Sequence, residues 1–290
     1  MEYESETLRR LQLAELGILQ AVDEACAKLG IPYFLDGGTA LGAVRHGGFI
    51  PWDDDADIGM LRPDYERFLV EAPALLGSRF TVASPRTHPA MAGMFAKVML
   101  AGTAFETAET REAGFDQGVF VDVFPYDRVA PDAAGAARQH RRCRRWQSLS
   151  YLHHSGHITV PHGGALGACE RAACRVAHGV VHALMRPEAI VSRFDGAAMA
   201  FDERSEAPSQ VDCGCRDAGG GTSRWATFAY AGTSFPQDVL VPPVRRDFEG
   251  VPLLAPARPE AFLDQLFGPT WCELPPEGQR RNHAPQCLEF

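Results

Sequence analysis

The sequence predicts a mixed α/β (α+β) fold, in which a mixed sheet is flanked by helices and interrupted by a helical insertion. Short apolar segments of strand length alternate with amphipathic helices through residues 1–129, a pattern typical of a sheet covered by helices. A long stretch with helical periodicity then occupies about residues 130–205. The 290 residues are 46% hydrophobic, which is ample for a large core.

The chain begins with a predicted helix that ends at Gly30. Apolar residues recur at spacings of three and four from Leu8 to Leu29, and Ser5 is the predicted N-cap. A short apolar strand over residues 31–35 follows this helix. The beginning of the chain therefore predicts a helix that leads directly into the sheet.

The remaining elements follow from the same two periodicities. We predict a short helix through Val44, an acidic strand at 55–60, a helix from Pro63, strands at 80–84, 95–100 and 118–124, and helices at 133–152, 165–186 and 189–201. Pro125 is expected to end its strand, and the segments 106–117 and 208–223 are expected to be a flexible connection and a loop. These elements suggest a catalytic core over residues 1–129 plus 226–290, with a helical insertion and loop over 130–225.

Composition limits the function classes. The net charge of −9, from 28 basic and 37 acidic residues, argues against a nucleic-acid-binding face. We find no apolar run of about 18 residues that would span a membrane and no signal-peptide pattern. These features lead us to expect a cytoplasmic enzyme whose cysteines are reduced.

An acidic cluster lies in residues 49–59, Phe-Ile-Pro-Trp-Asp-Asp-Asp-Ala-Asp-Ile-Gly. Side chains alternate across a strand, so Asp55 and Asp57 would share one face. Two adjacent carboxylates repel each other unless a cation lies between them, and Mg²⁺ is the usual cation, with Mn²⁺ as the alternative. The competing interpretation is an acidic solvated loop, but Ile58 and Met60 continue a strand pattern and favour the metal site.

A glycine turn precedes this cluster. Gly37, Gly38 and Thr39 follow the short strand and precede the short helix. Glycines there let backbone N–H groups approach a phosphate closely, and a helix N-terminus favours an anion. Arg45 adds a guanidinium suited to phosphate oxygens. The combination predicts a site that holds a phosphate ester against a divalent metal.

Residues 33–59 resemble the signature of the LicD family, which is named for bacterial phosphocholine transferases and includes fukutin-type ribitol-phosphate transferases. Residues 118–127 are similar to its second acidic strand, and residues 247–250, 267–268, 274–276 and His283 resemble its C-terminal block. The resemblance implies a nucleotidyltransferase fold. It also implies transfer of a phospho-alcohol, such as phosphocholine or an alditol phosphate, from a CDP-activated donor to a hydroxyl of a glycan or small molecule, with release of CMP.

The resemblance also assigns roles to residues outside the glycine turn. It implies that Asp122, inside an apolar strand, is a third metal ligand beside Asp55 and Asp57. Asp53 is the predicted base for the attacking hydroxyl or a support for the metal ligands. Lys97 is either a buried phosphate partner or a surface lysine whose head reaches water. His283 is expected to close over the nucleotide or the acceptor.

Two alternatives remain open from the sequence. The same residues would serve a nucleotidyltransferase that transfers NMP from an NTP and releases pyrophosphate, and a non-catalytic binding protein could keep the same fold. The alcohol and the acceptor are not identified. Trp225, Phe228 and Tyr230 would form either a cage for choline or part of the core.

Overall fold

The computed structural model describes residues 3–156, 162, 164–202, 223–230, 232–280, 282 and 284–290. The α-helices within these ranges are α1 (Ser5–Leu29), α2 (Gly37–Arg45), α3 (Arg62–Leu76), α4 (Ala108–Ala113), α5 (Ala133–His154), α6 (Gly164–Leu184), α7 (Pro187–Ala198), α8 (Gln237–Leu240) and α9 (Pro259–Phe267). The strands are β1 (Phe34–Leu35), β2 (Asp57–Leu61), β3 (Phe80–Ala83), β4 (Ala96–Leu100), β5 (Ala104–Glu106), β6 (Phe120–Arg128), β7 (Arg224–Ala226), β8 (Ser234–Pro236), β9 (Val244–Phe248), β10 (Val251–Ala255) and β11 (Cys287–Glu289).

The main sheet is mixed, as the sequence predicts. Its strand order is β1-β2-β6-β4-β3, and β7 and β8 extend it from the far end of β6. Strands β2 and β6 run parallel, whereas the other pairs of this sheet are antiparallel. The long strand β6 therefore lies at the centre of the sheet, between β2 and β4.

Helix α1 covers the sheet because its apolar stripe is continuous. Leu11, Ile18 and Val22 are fully buried in the main core, to which the sheet also contributes. The helix ends at Gly30, which takes the left-handed conformation with φ 63°, a common way to terminate a helix. The predicted N-cap is wrong by one residue, because Ser5 is the first helical residue and Glu4 precedes it without a side-chain cap.

Two expectations about strand β6 and the segment before it are wrong. Strand β6 continues through Pro125 to Arg128, because residues beyond the proline pair with β7 from the far end of the chain. The segment 106–117 is not an irregular connection. It contains α4, which begins with a capping box formed by Thr107 and Thr110, and strand β5 before it pairs with β11 at the C-terminus.

Helices α5, α6 and α7 form the predicted helical region. Asp132 caps α5 by accepting a hydrogen bond from Gly135 N at 2.8 Å. Cys143 of α5 and Phe194 of α7 are buried together in a second, smaller apolar cluster, next to the main core. Of the predicted loop at 208–223, only Ser223 lies within the described residues, and the proposed division into core and insertion stays a prediction.

The described helices include none with the length and apolar character needed to cross a membrane.

Candidate active site

The sheet places two carboxylates and one ammonium group in a row. Asp57 on β2 pairs in register with Asp122 on β6, and Asp122 pairs with Lys97 on β4. Residues opposite each other on neighbouring strands project from the same face. Lys97 Nζ consequently donates to Asp122 Oδ1 at 2.6 Å, and both side chains are about nine-tenths buried. Lys97 is therefore a buried partner of a predicted metal ligand and not a surface lysine.

The loop before β2 supplies the other carboxylates. Strand β2 begins at Asp57, so the predicted strand from residue 55 is too long and strand alternation does not govern Asp53 and Asp55. Helix α1 and the residues just before it fix this loop instead. Gln12 Nε2 donates to Asp53 O at 2.9 Å, and Tyr3 Oη donates to the Asp54 carboxylate at 3.0 Å.

One cavity of about 370 Å³ brings together the three predicted metal ligands and two residues of the glycine turn. Its walls carry Gly37 and Gly38 from the start of α2, three carboxylates, and an apolar set from β6, α9 and the chain after β7. The lining residues are Gly37, Gly38, Asp55, Asp57, Asp122, Phe124, Tyr230, Leu266 and Phe267. The acidic residues therefore face the N-terminus of α2 across a space large enough for a small ligand.

The glycine turn is the first turn of α2 itself. Asp36 caps the helix by accepting from Gly37 N at 2.8 Å, and it also accepts from the Tyr126 and Tyr230 hydroxyls. A Cβ at Gly38 would lie 2.7 Å from Asp53 Oδ2, so glycine lets this carboxylate approach the helix. The exposed N–H groups of such a helix start attract anions.

Thr39 locks the turn to the acidic strand, because its hydroxyl oxygen accepts from Asp57 N at 2.8 Å.

Burial and mutual repulsion dominate the electrostatics of the cavity. Burial raises the pKa of Asp57 well above its usual range, and the charges of Asp55 and Asp122 raise it further. Burial also raises the pKa of Asp122 to about 6, although the Lys97 ammonium opposes that shift. Carboxylates with raised pKa values gain most when a cation neutralises them.

The donor chemistry fits a hard divalent cation, because the candidate ligands are carboxylate oxygens only. Within the residues that the structure describes, however, no three acidic, histidine or cysteine side chains stand in an arrangement that holds a metal ion. Lys97 donates a hydrogen bond to one carboxylate oxygen of Asp122. The side chains of the candidate ligands would have to rotate to share one ion. The residues for a metal site are therefore close together, but the ligand geometry is not preformed.

Two predicted phosphate-binding residues, Arg45 and Lys97, do not line this cavity. Arg45 lies at the opposite end of α2, where its guanidinium donates to the carbonyl oxygens of Trp271 and Glu273 at 2.8 and 3.1 Å. It thereby fastens the C-terminal segment to α2. His283 lies outside the described residues. Of the predicted aromatic set, Tyr230 lines the cavity, whereas Trp225 and Phe228 are buried in the two apolar clusters.

The sequence reasoning missed Glu15. This residue of α1 is 1% exposed, and its carboxylate has no hydrogen-bond partner among the described residues. Burial raises its pKa well above the usual range, and the charge of Asp55 raises it further. A signal was available, because Glu15 falls on the apolar stripe between Leu11 and Ile18.

Comparison with known proteins identifies the region that contains the site. Residues 30–143 match the model of the LicD/FKTN/FKRP nucleotidyltransferase domain. The lipopolysaccharide cholinephosphotransferase LicD of Haemophilus influenzae is 37% identical over 124 residues, which are 42% of this chain and 45% of that protein.

Two human proteins match over shorter stretches. The ribitol 5-phosphate transferase FKRP is 42% identical over 57 residues, 20% of this chain and 10% of that protein. The ribitol-5-phosphate transferase FKTN is 36% identical over 55 residues, 19% of this chain and 12% of that protein. The chain thus spans less than half the length of each of these relatives. Residues 30–143 are therefore similar to the nucleotidyltransferase domain of the LicD/FKTN/FKRP family.

Proposed function

We propose that the chain is a transferase that moves a phospho-alcohol group from a CDP-activated donor to a hydroxyl of an acceptor and releases CMP. The observation that carries the proposal is that Asp55, Asp57 and Asp122 line one cavity together with the N-terminus of α2, while Lys97 on the neighbouring strand donates to Asp122. This arrangement offers hydrogen-bond donors for a phosphate on one side and a concentrated negative charge on the other. The relatives named as cholinephosphotransferase and ribitol-phosphate transferases support the same reaction class.

Different residues of the site would bind the diphosphate, accept the proton and orient a metal ligand. The backbone N–H group of Gly38 would bind the donor diphosphate at the N-terminus of α2, while Gly37, whose N–H donates to Asp36, would line the same space. Asp53, next to Gly38, would accept the proton of the attacking hydroxyl, whose oxygen bonds to the β-phosphorus as the bond from that phosphorus to the CMP oxygen breaks. Lys97 would orient Asp122 through their hydrogen bond.

Asp55, Asp57 and Asp122 would hold Mg²⁺, or Mn²⁺ in its place, and a bound ion there would neutralise charge on the diphosphate. The raised pKa values of Asp57 and Asp122 support this assignment, because both carboxyls favour losing their protons when a cation is near.

The second candidate is transfer of NMP from an NTP with release of pyrophosphate. It is favoured by the description of the matched region as a nucleotidyltransferase domain. The same residues serve both reactions, because the difference lies in whether the α- or the β-phosphorus meets the attacking hydroxyl.

Donor binding tests the proposal without knowledge of the acceptor. Titration calorimetry would compare CDP-choline, CDP-ribitol and the four NTPs, with Mg²⁺ and with EDTA. We expect Mg²⁺-dependent binding of a CDP-alcohol that falls at least tenfold in Asp57→Asn and is unchanged in the matched control Asp116→Asn, whose side chain is exposed. Binding of NTPs alone would favour the second candidate, and CDP-alcohol binding that Asp57→Asn leaves intact would remove the carboxylates from the site.

A further inference from the structure

A second cavity of about 500 Å³ adjoins the catalytic one. Asp55 lines both cavities, and Lys97 lines the second. Its walls come from the loop before β4, from β5 and α4, from β6, and from the C-terminal end of α5. The volume lies within the range of small-molecule sites, roughly 300–1,000 Å³. The N-terminus of α2, which would hold the donor diphosphate, does not line this space.

The walls of this cavity are mainly apolar. They include Met91, Phe95, Phe105, Phe115 and Phe120, and Tyr151 of α5 joins them. All but Phe95 and Tyr151 are buried in the protein, so the cavity floor is part of the core. Burial of apolar ligand surface against such walls is favourable, whereas a polar ligand would lose its hydrogen bonds to water.

Most polar side chains of the same walls already have partners. Thr107 and Thr110 bond to each other in the capping box of α4. Gln117 Nε2 donates to Phe105 O at 3.2 Å, and both ring nitrogens of His154 lie 2.7 Å from backbone carbonyl oxygens. A ligand would therefore find few new hydrogen-bond partners along the walls. At one end of the cavity it would meet the charged side chains of Asp55 and Lys97.

We propose that this cavity holds the apolar body of the acceptor, with the acceptor hydroxyl at the Asp55 end of the cavity, from which its proton would pass to the proposed base Asp53. The acceptor class is an alcohol that carries an aryl or alkyl group, either as a free small molecule or as the apolar group attached to a sugar. The inference rests on the proposed function, because Asp55 belongs to the donor site. A sugar without such a group would leave its hydroxyls unpaired against these walls.

The donor is a weaker candidate for the same space. Its diphosphate has a separate place at the N-terminus of α2, which lines the first cavity and not the second. A cytosine ring also requires hydrogen-bond partners for its polar edge, and the wall groups that would supply them are already bonded. The cavity therefore suits the apolar partner of the reaction.

The test is equilibrium binding in the absence of donor, so that it does not depend on turnover. Probes are 2-phenylethanol, octyl β-glucoside and, as the polar comparison, glucose. Ala113 of α4 lines the cavity, whereas Ala108 of the same helix is exposed and does not. We expect Ala113→Phe to weaken binding of the apolar alcohols at least tenfold and Ala108→Phe to leave it unchanged, while CDP-alcohol binding is unchanged in both.

The outcomes separate this inference from the proposed function. Binding of 2-phenylethanol alone would identify a free small alcohol as the acceptor, and preference for octyl β-glucoside would identify the sugar-linked source. Equal binding of apolar alcohols by wild type and Ala113→Phe, or binding of glucose alone, would overturn the inference even where CDP-alcohols bind. Binding of the apolar alcohols without any binding of a CDP-alcohol would support the acceptor cavity and refute the proposed CDP-alcohol donor. If Ala113→Phe does not fold, Ala90→Phe fills the same cavity from the loop before β4.

Discussion

Replacement of Glu15 by glutamine tests whether a buried acid of α1 carries its proton in the folded protein. Its carboxylate is buried without a hydrogen-bond partner among the described residues. Burial is the largest cause of its raised pKa, and the charges of Asp55, Asp54 and Asp53 add to it in that order. Glutamine has nearly the same shape and cannot ionise, so the substitution removes only the titration.

The sign of the effect follows from proton linkage. Below the unfolded-state pKa of about 4.3 both states hold the proton, and Glu15 adds no pH dependence. Above that pH the unfolded chain releases the proton while the folded chain keeps it, so the free energy of unfolding falls as pH rises. The full slope for one group is ~1.4 kcal/mol per pH unit until the folded-state pKa is reached. Glu15→Gln should therefore gain stability relative to wild type between pH 5 and pH 7.

Urea unfolding followed by circular dichroism at pH 5, 6 and 7, in EDTA, measures this difference. The matched control is Glu24→Gln, because Glu24 is exposed on the same helix, and its free energy of unfolding should follow wild type. A constant difference between Glu15→Gln and wild type across this range, or one that shrinks as pH rises, would refute the reasoning.

Three further predictions concern the site and its support. Asp57→Asn should abolish turnover without lowering the free energy of unfolding at pH 7, because it removes a repelled carboxyl; destabilisation would contradict this. Asp127→Ala should lower the free energy of unfolding by about 3–5 kcal/mol, because it removes the carboxylate that binds the buried Arg62 guanidinium at 2.7 and 2.9 Å and leaves it only the longer contact with Glu66 at 3.2 Å; urea unfolding that shows less than about 1 kcal/mol would refute it. Gly38→Ala should lower turnover with little change in Tm, since its Cβ would displace Asp53; wild-type kcat would remove Asp53 from the mechanism.

The elements with strong local signals were predictable from the sequence. The stripe of α1, the glycine start of α2 and the apolar strand around Asp122 all depend on neighbouring residues, and each occurs close to its predicted position. The convergence of Asp55, Asp57 and Asp122 on one cavity also follows the prediction. For Asp55, however, the cause is a loop fixed by α1 and not the alternation of a strand.

The features that were missed depend on distant partners. The continuation of β6 past Pro125 needs β7, which lies about a hundred residues away in the chain. Arg45 has a phosphate-binding side chain, but the carbonyl groups of Trp271 and Glu273 occupy it. A sequence pattern shows that an arginine can bind an anion, but only the fold shows which hydrogen-bond acceptors contact its guanidinium.

The nucleotide product is the most direct test of the central claim. Wild-type protein would be incubated with Mg²⁺ and either a CDP-alcohol or an NTP, with and without 2-phenylethanol, octyl β-glucoside or a glycan as acceptor. Ion-exchange chromatography would then resolve CMP, CDP and pyrophosphate, with Asp57→Asn as the blank. We predict CMP from a CDP-alcohol at a rate that depends on the acceptor, and no pyrophosphate. Pyrophosphate released from an NTP, with every CDP-alcohol inert, would contradict the account and establish nucleotidyl transfer in its place.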